Sequence, residues 1–268
     1  MRLEFSACSH IGSVRQNNED NLYVPGRMIP YEYLDAVFVD VGSTWTPCAF
    51  AVCDGMGGQE HGEYASYVAA SGLAELELAI KTAKPEKIDR LVQDYVTKVN
   101  EKICNKMQEK LVHIGTTLAL VVVTDNEIRA YNIGDSRIYA LKNNELLQVS
   151  EDHTMTMQKI GMGILTKEQA FLDPDRNKLT RYLGKFVDET VLEIERLPSL
   201  EVNSHLPILL ASDGLTEFVS DEKIKEVLQS SPTKGAAELL VIAALEKGGR
   251  DNVTCVVINA DSNTQAPS

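Results

Sequence analysis

The sequence has no apolar run that could cross a membrane and no cluster of basic residues. Its longest apolar stretches, near 117–123 and 206–211, are far shorter than the roughly 20 residues that a membrane-spanning helix requires. With a net charge of −13 and no dense Lys/Arg face, the chain cannot neutralise nucleic-acid phosphates. These features argue against membrane proteins and nucleic-acid-binding proteins. The first ten residues also lack the layout of a signal peptide, so we expect a cytoplasmic protein.

Cysteine and histidine are few, and neither is spaced like a set of zinc ligands. The five cysteines form no CxxC pair, which argues against a zinc ribbon or a thioredoxin-type site. Cys53 and Cys255 lie inside apolar runs, as is typical of core residues in a reducing compartment. Zinc is therefore disfavoured, and oxygen ligands are expected for any bound metal. The histidines without metal-ligand spacing are His10, His61, His113, His153 and His205.

Helical periodicity predicts two pairs of helices. Apolar residues recur every three to four positions in 63–80 and in 86–112, and Pro85 separates these two segments. Near the C-terminus, 221–229 and 234–247 form a second pair, which Ser231-Pro232 divides. Each pair is expected to pack as two neighbouring antiparallel helices.

Short segments rich in β-branched residues predict strands between and after the helices. Asp125-Asn126 lies between two of them and indicates a hairpin. Consecutive hairpins favour antiparallel pairing, so the predicted fold class is α+β, with antiparallel sheets and paired helices on their outer faces. The predicted strands are 49–53, 117–124, 128–133, 137–141, 192–195, 207–211 and 253–259.

The chain is expected to form a single domain over residues 1–260. It contains no internal repeat and no Gly/Ser-rich or Pro-rich linker, and only 261–268 has the composition of a disordered tail. Residues 153–183 fit neither period and contain Gly161, Gly163 and Pro174. We interpret this stretch as an irregular insertion with a short helix around 167–171. Irregular insertions of this length in a compact domain usually have a function.

Acidic side chains stand next to glycine, arginine or other turn residues at five places. Asp54 and Asp213 each follow an apolar strand run, and Asp251 precedes one. A single Asp-Gly pair is most often only a turn. The repetition at strand ends exceeds what turns require and predicts a common site. The acidic residues at these places are Glu19, Asp20, Asp54, Asp135, Asp213 and Asp251.

Ionised carboxylates that meet in space repel one another unless cations accompany them. All-oxygen ligand sets select Mg²⁺ or Mn²⁺, and two such ions about 3.5–4 Å apart would share one carboxylate and one water. That water would supply hydroxide near neutral pH, for which a phosphoester is a natural target. Arg15 is suited to bind the phosphate oxygens in a bidentate manner. The competing interpretation, an acidic structural or calcium-binding protein, predicts cation binding without hydrolysis.

Seven motifs in order make the chain resemble the metal-dependent protein phosphatases (PPM, the type 2C Ser/Thr phosphatases), especially their compact bacterial members. The resemblance runs from about Ser6 to Asn259, nearly the whole chain. The motifs are Val14-Arg15 with Asn18-Glu19-Asp20-Asn21, Asp54-Gly55-Met56-Gly57-Gly58, Gly115-Thr116-Thr117, Gly134-Asp135-Ser136-Arg137, Leu179-Thr180-Arg181-Tyr182-Leu183-Gly184, Ser212-Asp213-Gly214-Leu215 and Arg250-Asp251-Asn252.

The resemblance implies a centre of two Mn²⁺ or Mg²⁺ ions bridged by Asp54. Asp213 and Asp251 would complete the ligands of the first ion, and the carbonyl of Gly55 would serve the second. Because Met56 follows Gly55, as in bacterial members, the histidine that animal members use as general acid is missing. Protonation of the leaving oxygen by a metal-bound water is our hypothesis in its place.

Further residues take roles by the same resemblance. Glu19 and Asp20 would act around the second ion, in part through water, and Arg15 would hold the substrate phosphate. Asp135, together with Asp213, would offer a weaker third metal site, as in bacterial relatives.

The implied activity is the hydrolysis of phosphoserine and phosphothreonine in proteins by a monomer whose partners are a Ser/Thr kinase and its targets. The implied fold is a pair of antiparallel sheets sandwiched between helix pairs, with 153–183 as a mobile flap. Residues 26–47 form a longer segment than a minimal member needs. Two alternatives stay open: a catalytically silent PPM-fold regulatory module, and a phosphatase of small phosphoesters. Phosphatases of sporulation or stress regulation share the fold.

Overall fold

A computed structural model describes residues 1–57, 61–170, 172–186, 192–201 and 206–261 of the chain. Fourteen strands are found in these ranges, and all of their pairings are antiparallel. The strands are β1 Arg2–His10, β2 Asp20–Val24, β3 Arg27–Met28, β4 Phe38–Trp45, β5 Cys48–Gly57, β6 Ile114–Thr116, β7 Leu118–Val123, β8 Glu127–Ile133, β9 Arg137–Lys142, β10 Glu145–Gln148, β11 Glu195–Arg196, β12 Leu200–Glu201, β13 Leu206–Ala211 and β14 Val253–Asp261.

Helices follow the strands in three groups, one after β5, one after β10 and one after β13. Within the described ranges none is both long and apolar enough to span a bilayer. Short 3-10 turns occur at Tyr31–Tyr33 and Pro85–Lys87. The helices are α1 Gly62–Thr82, α2 Ile88–Lys110, α3 Met155–Gly161, α4 Lys167–Ala170, α5 Asp213–Thr216, α6 Asp221–Ser230 and α7 Thr233–Glu246.

The strands build two sheets. The first has six strands in the order β10-β9-β13-β14-β1-β4. The second has the order β11-β8-β7-β5-β2-β3, with β12 also paired to β8 and β6 also paired to β5. The loop that holds Asp135 connects β8 in the second sheet to β9 in the first, so the chain crosses between the sheets there.

Three apolar cores separate four layers, in the order helices, sheet, sheet, helices. One core fills the space between the two sheets and includes Phe5 and Phe50, whose rings meet edge to face. A second lies between the larger sheet and α1 with α2, and a third between the six-stranded sheet and α5, α6 and α7. Burial of apolar surface on both faces of each sheet therefore holds the sandwich together.

The predicted α+β sandwich flanked by helix pairs is confirmed. All four predicted helices exist, and Pro85 and Ser231-Pro232 lie in the turns that separate the members of each pair. The hairpin at Asp125-Asn126 joins β7 to β8. The predicted strand at 192–195 was wrong in its bounds, since pairing starts at Glu195. Strands β1, β2, β4 and β10 were not predicted.

The insertion at 153–183 contains α3 and α4, and its two ends are attached to the body of the protein. The His153 N–H donates to the Gly134 carbonyl at 3.0 Å, while Leu183 and Thr116 exchange two backbone hydrogen bonds of 2.9 Å. The expected short helix is present as Lys167–Ala170, whereas residue 171 lies outside the described residues. Residue 205 and the expected tail at 262–268 also lie outside them, and β14 continues through Asp261.

Candidate active site

Two of the predicted site residues, Asp20 and Asp54, are direct neighbours on adjacent strands. Asp20 begins β2 and is paired in register with Asp54 of β5, which brings their Cβ atoms to within about 5 Å of each other. The expectation that Asp54 ends a strand was wrong, because β5 continues to Gly57 and changes partner from β7 to β6. Asp54 therefore lies where one long strand passes from one partner to another.

Hydroxyl groups fix the backbone of Asp54. Its N–H donates to Thr117 Oγ1 at 2.9 Å, and its carbonyl accepts from Thr117 N and Thr116 Oγ1, each at 2.9 Å. Thr117 Oγ1 also lies 2.6 Å from Ser136 Oγ, next to Asp135. The sequence assigned these hydroxyls no role, although they stand beside the acidic motifs. They tie the strand of Asp54 to the loop of Asp135.

The six-stranded sheet supplies the other half of the site. Asp213 is the first residue of α5, directly after β13, and Asp251 lies in the turn before β14. Ser212 Oγ donates to Asp20 Oδ2 at 2.8 Å and accepts from Thr254 N at 3.0 Å. Asp20 and Asp54 thus come from one sheet, and Asp213 and Asp251 from the other.

The aspartates lie close enough to disturb each other's ionisation. Burial is the main cause that raises the pKa of Asp20 and of Asp213 to about 7, and neighbouring carboxylates raise both further. Burial and the charges of Asp20, Asp213, Asp135 and Asp251 raise the pKa of Asp54 well above its ordinary value. Asp54 also lies close enough to Asp213 to influence its pKa, and it acts against the larger effect of burial.

Arg15 borders this acidic group. Its Nη2 donates to Asp251 Oδ2 at 2.7 Å, and half of the Arg15 side chain remains exposed to solvent. No other described residue forms an ion pair with Asp20, Asp54, Asp135, Asp213 or Asp251. The guanidinium has five N–H donors in a planar fork, so groups beyond the one bonded to Asp251 can receive an oxyanion.

Asn252 positions the loop that contains Arg15. Its Nδ2 donates to the carbonyls of Ile11 and Asn17 at 2.8 and 3.0 Å, and its Oδ1 accepts from Glu19 N at 2.9 Å. Asn252 was only part of a motif in the sequence and was assigned no role. The signal that could have found it is an amide next to Asp251, since only an amide side chain can donate and accept in this way.

Glu19 lies to one side of the aspartates. Its carboxylate lies against Gly62 at the start of α1, a position that suits an anion. Burial, followed by the nearby Glu63, raises its pKa, while Arg15 opposes the shift. Of the acidic residues predicted to share one site, Glu19 is therefore the one already engaged by a helix terminus.

Asp135 is held on its loop by a second network. Arg137 binds Asp152 through Nε and Nη2, with a shortest distance of 2.7 Å. The Gly134 N–H donates to His153 Nδ1 at 3.0 Å, and the other ring nitrogen of His153 lies 2.8 Å from Glu195 Oε2. Burial and then Asp213 raise the pKa of Asp135 to about 8.

The donor set fits hard divalent cations. Five buried or half-buried aspartates repel one another, and divalent cations between their oxygens would remove that repulsion. Over the described ranges, however, no three His, Cys, Asp or Glu side chains are arranged as a finished metal cage. The fit therefore rests on the oxygen chemistry and the charge of the site.

A pH-dependent stability follows from these raised pKa values. Between about pH 4 and pH 8 the folded chain holds protons on Asp20, Asp135 and Asp213 that the unfolded chain has lost. The folded state binds more protons, so these groups lower the free energy of unfolding as the pH rises. In EDTA we expect melting at pH 8 to fall below that at pH 5 by roughly 5 °C, and Mn²⁺ to restore it.

The Asp135→Asn variant tests the cause of that shift. It removes the group with the pKa of about 8, so its melting temperature in EDTA should depend less on pH than that of the unaltered chain. An equal pH dependence in EDTA for both proteins would contradict the assignment. So would a melting temperature at pH 8 that does not respond to Mn²⁺.

Comparisons with known proteins agree with this geometry. Residues 34–240 match the family described as Protein phosphatase 2C. The chain is 33% identical over 261 residues to the serine/threonine protein phosphatase PstP of Mycobacterium tuberculosis, covering 95% of this chain but only 44% of PstP. It is 31% identical over 256 residues to the serine/threonine phosphatase stp of Listeria monocytogenes, covering 93% of each.

A solved structure is similar over nearly the whole length. The catalytic domain of PstP in complex with two manganese ions matches with a TM-score of 0.78 and 31% identity, covering 97% of this chain and 99% of that domain. The likeness therefore extends over nearly the whole chain, both sheets included.

Proposed function

The chain belongs to the protein phosphatase 2C (PPM) family, and from that premise we propose that it hydrolyses phosphoserine and phosphothreonine esters in proteins. The cofactor is a pair of Mn²⁺ or Mg²⁺ ions, with Asp54, the Gly55 carbonyl, Asp213 and Asp251 as the protein ligands. The observation that carries this proposal is the meeting of aspartates from two sheets next to a half-exposed arginine.

The side chains around the site prepare it for a phosphate dianion. Arg15 is held by Asp251 through one nitrogen and offers its remaining N–H groups to the phosphate oxygens. Asn252, the residue next to Asp251, holds the loop of Arg15 through the carbonyls of Ile11 and Asn17. Binding is therefore expected to orient the ester with little movement of the guanidinium.

The aspartates would hold the ions in place of the protons they hold now. When bound, a pair of divalent ions supplies the Lewis acidity that lowers the pKa of a water and offsets phosphate charge. Asp20 and Glu19 support this arrangement from the rim, Asp20 through Ser212 and Glu19 through the start of α1. Asp135, together with Asp213, would hold a weaker third ion.

The activity can be tested with purified protein, Mn²⁺ and two substrates, p-nitrophenyl phosphate and a phosphothreonine peptide. We expect both to be hydrolysed, EDTA to reduce the rate at least about a hundredfold, and excess Mn²⁺ to restore it. The phosphopeptide should inhibit p-nitrophenyl phosphate hydrolysis competitively, because both esters use one site.

Two outcomes would contradict the proposal in different ways. Binding of Mn²⁺ with no turnover of either ester would indicate a silent regulatory module or a cation-binding protein. Hydrolysis of small esters that a tenfold excess of phosphopeptide leaves untouched would indicate a small-molecule phosphatase. The kinase partner, the monomeric state and the cytoplasmic location expected from the sequence stay predictions.

A further inference from the structure

Strand β4 has an inverted pattern of burial. Val39 and Val41 are 47% and 40% exposed, whereas Asp40 between them is buried and paired with Arg27 at 2.8 Å. Val37 just before the strand and Trp45 at its end are also exposed, 59% and 38% respectively. A stripe of apolar side chains in solvent on one strand is unusual for a soluble protein and often marks an interaction surface.

The backbone of the same residues is open. β4 is the last strand of its sheet, and no strand among the described residues pairs with its other side. Thr46 N donates to Met1 O, so the even-numbered residues of β4 bond to β1, because hydrogen-bonded pairs alternate along an antiparallel ladder. Val39, Val41 and Ser43 therefore direct their N–H and C=O groups towards the free edge. We call this row, with Val37 and Trp45, the β4 edge.

The β4 edge begins beside the candidate active site. Phe38 pairs with Ser9, whose hydroxyl group contacts Thr254 Oγ1 at 2.8 Å and Asn18 Nδ2 at 3.0 Å. Asn18 also donates to the carbonyl of Leu34 and immediately precedes Glu19. An extended chain advances about 3.3 Å per residue, so a few residues suffice to connect the edge with the phosphate position at Arg15.

Acidic side chains surround the part of the edge closest to the site. Glu32 and Asp35 are exposed in the segment that leads into β4, and Asp35 accepts from Asn18 N at 2.8 Å. Exposed Glu238 of α7 lies near Cys8, the partner of Val39 across the ladder, and adds to the effect of burial that raises the pKa of this thiol to about 12. An incoming strand would therefore meet apolar side chains and negative charge. A second copy of a chain with net charge −13 would be repelled.

We infer that the β4 edge binds an extended, positively charged segment of the phosphoprotein substrate, which adds to the six-stranded sheet while its phosphorylated residue occupies the site at Arg15. The inference rests on the proposed function and names the class of substrate. Main-chain hydrogen bonds supply affinity in such strand addition, and alternate side chains supply preference. The favoured segment carries both apolar residues and Lys or Arg on the face that meets Val39, Val41 and Glu238.

Three phosphothreonine peptides test this inference. They share one phosphorylated core, and two of them continue into an eight-residue segment that has Val and Lys, or Val and Glu, on the face that meets Val41 and Glu238, and Thr on its other face. The Val/Lys peptide should have a KM about tenfold below that of the core peptide, equivalent to about 1.4 kcal/mol. The Val/Glu peptide should gain nothing. Binding measured by fluorescence anisotropy in the presence of Mn²⁺ should follow the same order, independently of turnover.

Two variants locate the effect. Val41→Lys places a charge in the stripe, and Glu238→Lys reverses a charge on the exposed face of α7, where folding is not at risk. Both should abolish the tenfold advantage of the Val/Lys peptide, and Glu238→Lys should improve the Val/Glu peptide. Leu78→Lys, at an exposed residue of α1 on the opposite helix layer, is the matched control and should change nothing. Hydrolysis of p-nitrophenyl phosphate should stay the same in all three.

Several results would overturn the inference. Equal KM and equal anisotropy for the three peptides would do so, as would a loss of the advantage in Leu78→Lys. A dimer of the unaltered chain that Val41→Lys dissociates in sedimentation would assign the edge to a second copy instead. Absent turnover of p-nitrophenyl phosphate would contradict the proposed function, and the anisotropy order would still decide the docking site separately.

Discussion

Asp54→Asn should abolish hydrolysis while leaving the fold intact. Asp54 is the carboxylate at the centre of the site, opposite Asp20 and close to Asp213, and the amide oxygen of Asn is a neutral, weaker ligand for a hard cation. We expect kcat for p-nitrophenyl phosphate to fall at least about a thousandfold, which corresponds to about 4 kcal/mol of lost transition-state stabilisation. Steady-state kinetics at saturating Mn²⁺ measures the loss.

The stability of the same variant should change in the opposite direction. Without metal, Asp54 is buried among like charges, so its replacement removes repulsion, and the variant should melt at pH 8 in EDTA no lower than the unaltered chain. Asp94→Asn is the matched control, since Asp94 is an exposed residue of α2 whose contact with Arg90 is 4.0 Å long. Retention of more than a tenth of the activity by Asp54→Asn would remove this residue from the proposed ligand set.

Gly55→Ala should be strongly destabilising. A Cβ at this position would lie 2.4 Å from the carbonyl oxygens of Glu19 and of Gly62, and both are backbone atoms that cannot rotate away. The cost of such overpacking is about 3 kcal/mol, or a decrease in melting temperature of roughly 6–12 °C. Because Glu19 O also accepts from Gly55 N at 3.1 Å, the displacement would disturb the carbonyl proposed as a metal ligand.

Gly235→Ala is the matched control for that substitution. Gly235 lies in α7, and a Cβ there would meet nothing within 4 Å, so alanine should leave stability unchanged or raise it by up to about 1 kcal/mol. Thermal denaturation and Mn²⁺ titration of the two variants should give opposite results. An unaltered Mn²⁺ affinity and melting temperature in Gly55→Ala would show that the strand can move at no cost, contrary to the packing described above.

Helices and strands could be predicted from the sequence where their apolar residues follow a single regular period. Helices α1 and α2 bury one regular stripe each, and both were found with bounds within two residues. β4 was missed because its polar Asp40 points inward and its valines point outward, the reverse of the usual alternation. β2 was missed because it begins with Asp20 and Asn21, buried polar residues that the site and its hydrogen bonds require.

The candidate site was predictable in its residue types but not in its connections. Repeated strand-end aspartates indicated that cations should gather them, and the fold brings Asp54, Asp213 and Asp251 together. The sequence could not show that Glu19 is engaged by the start of α1, because that contact joins segments more than 40 residues apart. It also could not show the roles of Asn252 and Thr117, whose amide and hydroxyl groups act on backbone atoms of distant loops.

The aspartates of the site come from two different sheets, so their spacing depends on how the sheets are held together. Asp20 and Asp54 belong to one sheet, and Asp213 and Asp251 adjoin strands of the other, while the apolar layer around Phe5 and Phe50 packs between the two sheets. A sliding movement of one sheet past the other by a fraction of an ångström would alter the spacing of the four carboxylates. Ions bound there would link the two sheets. Their affinity therefore depends on how rigidly the apolar layer holds the sheets together.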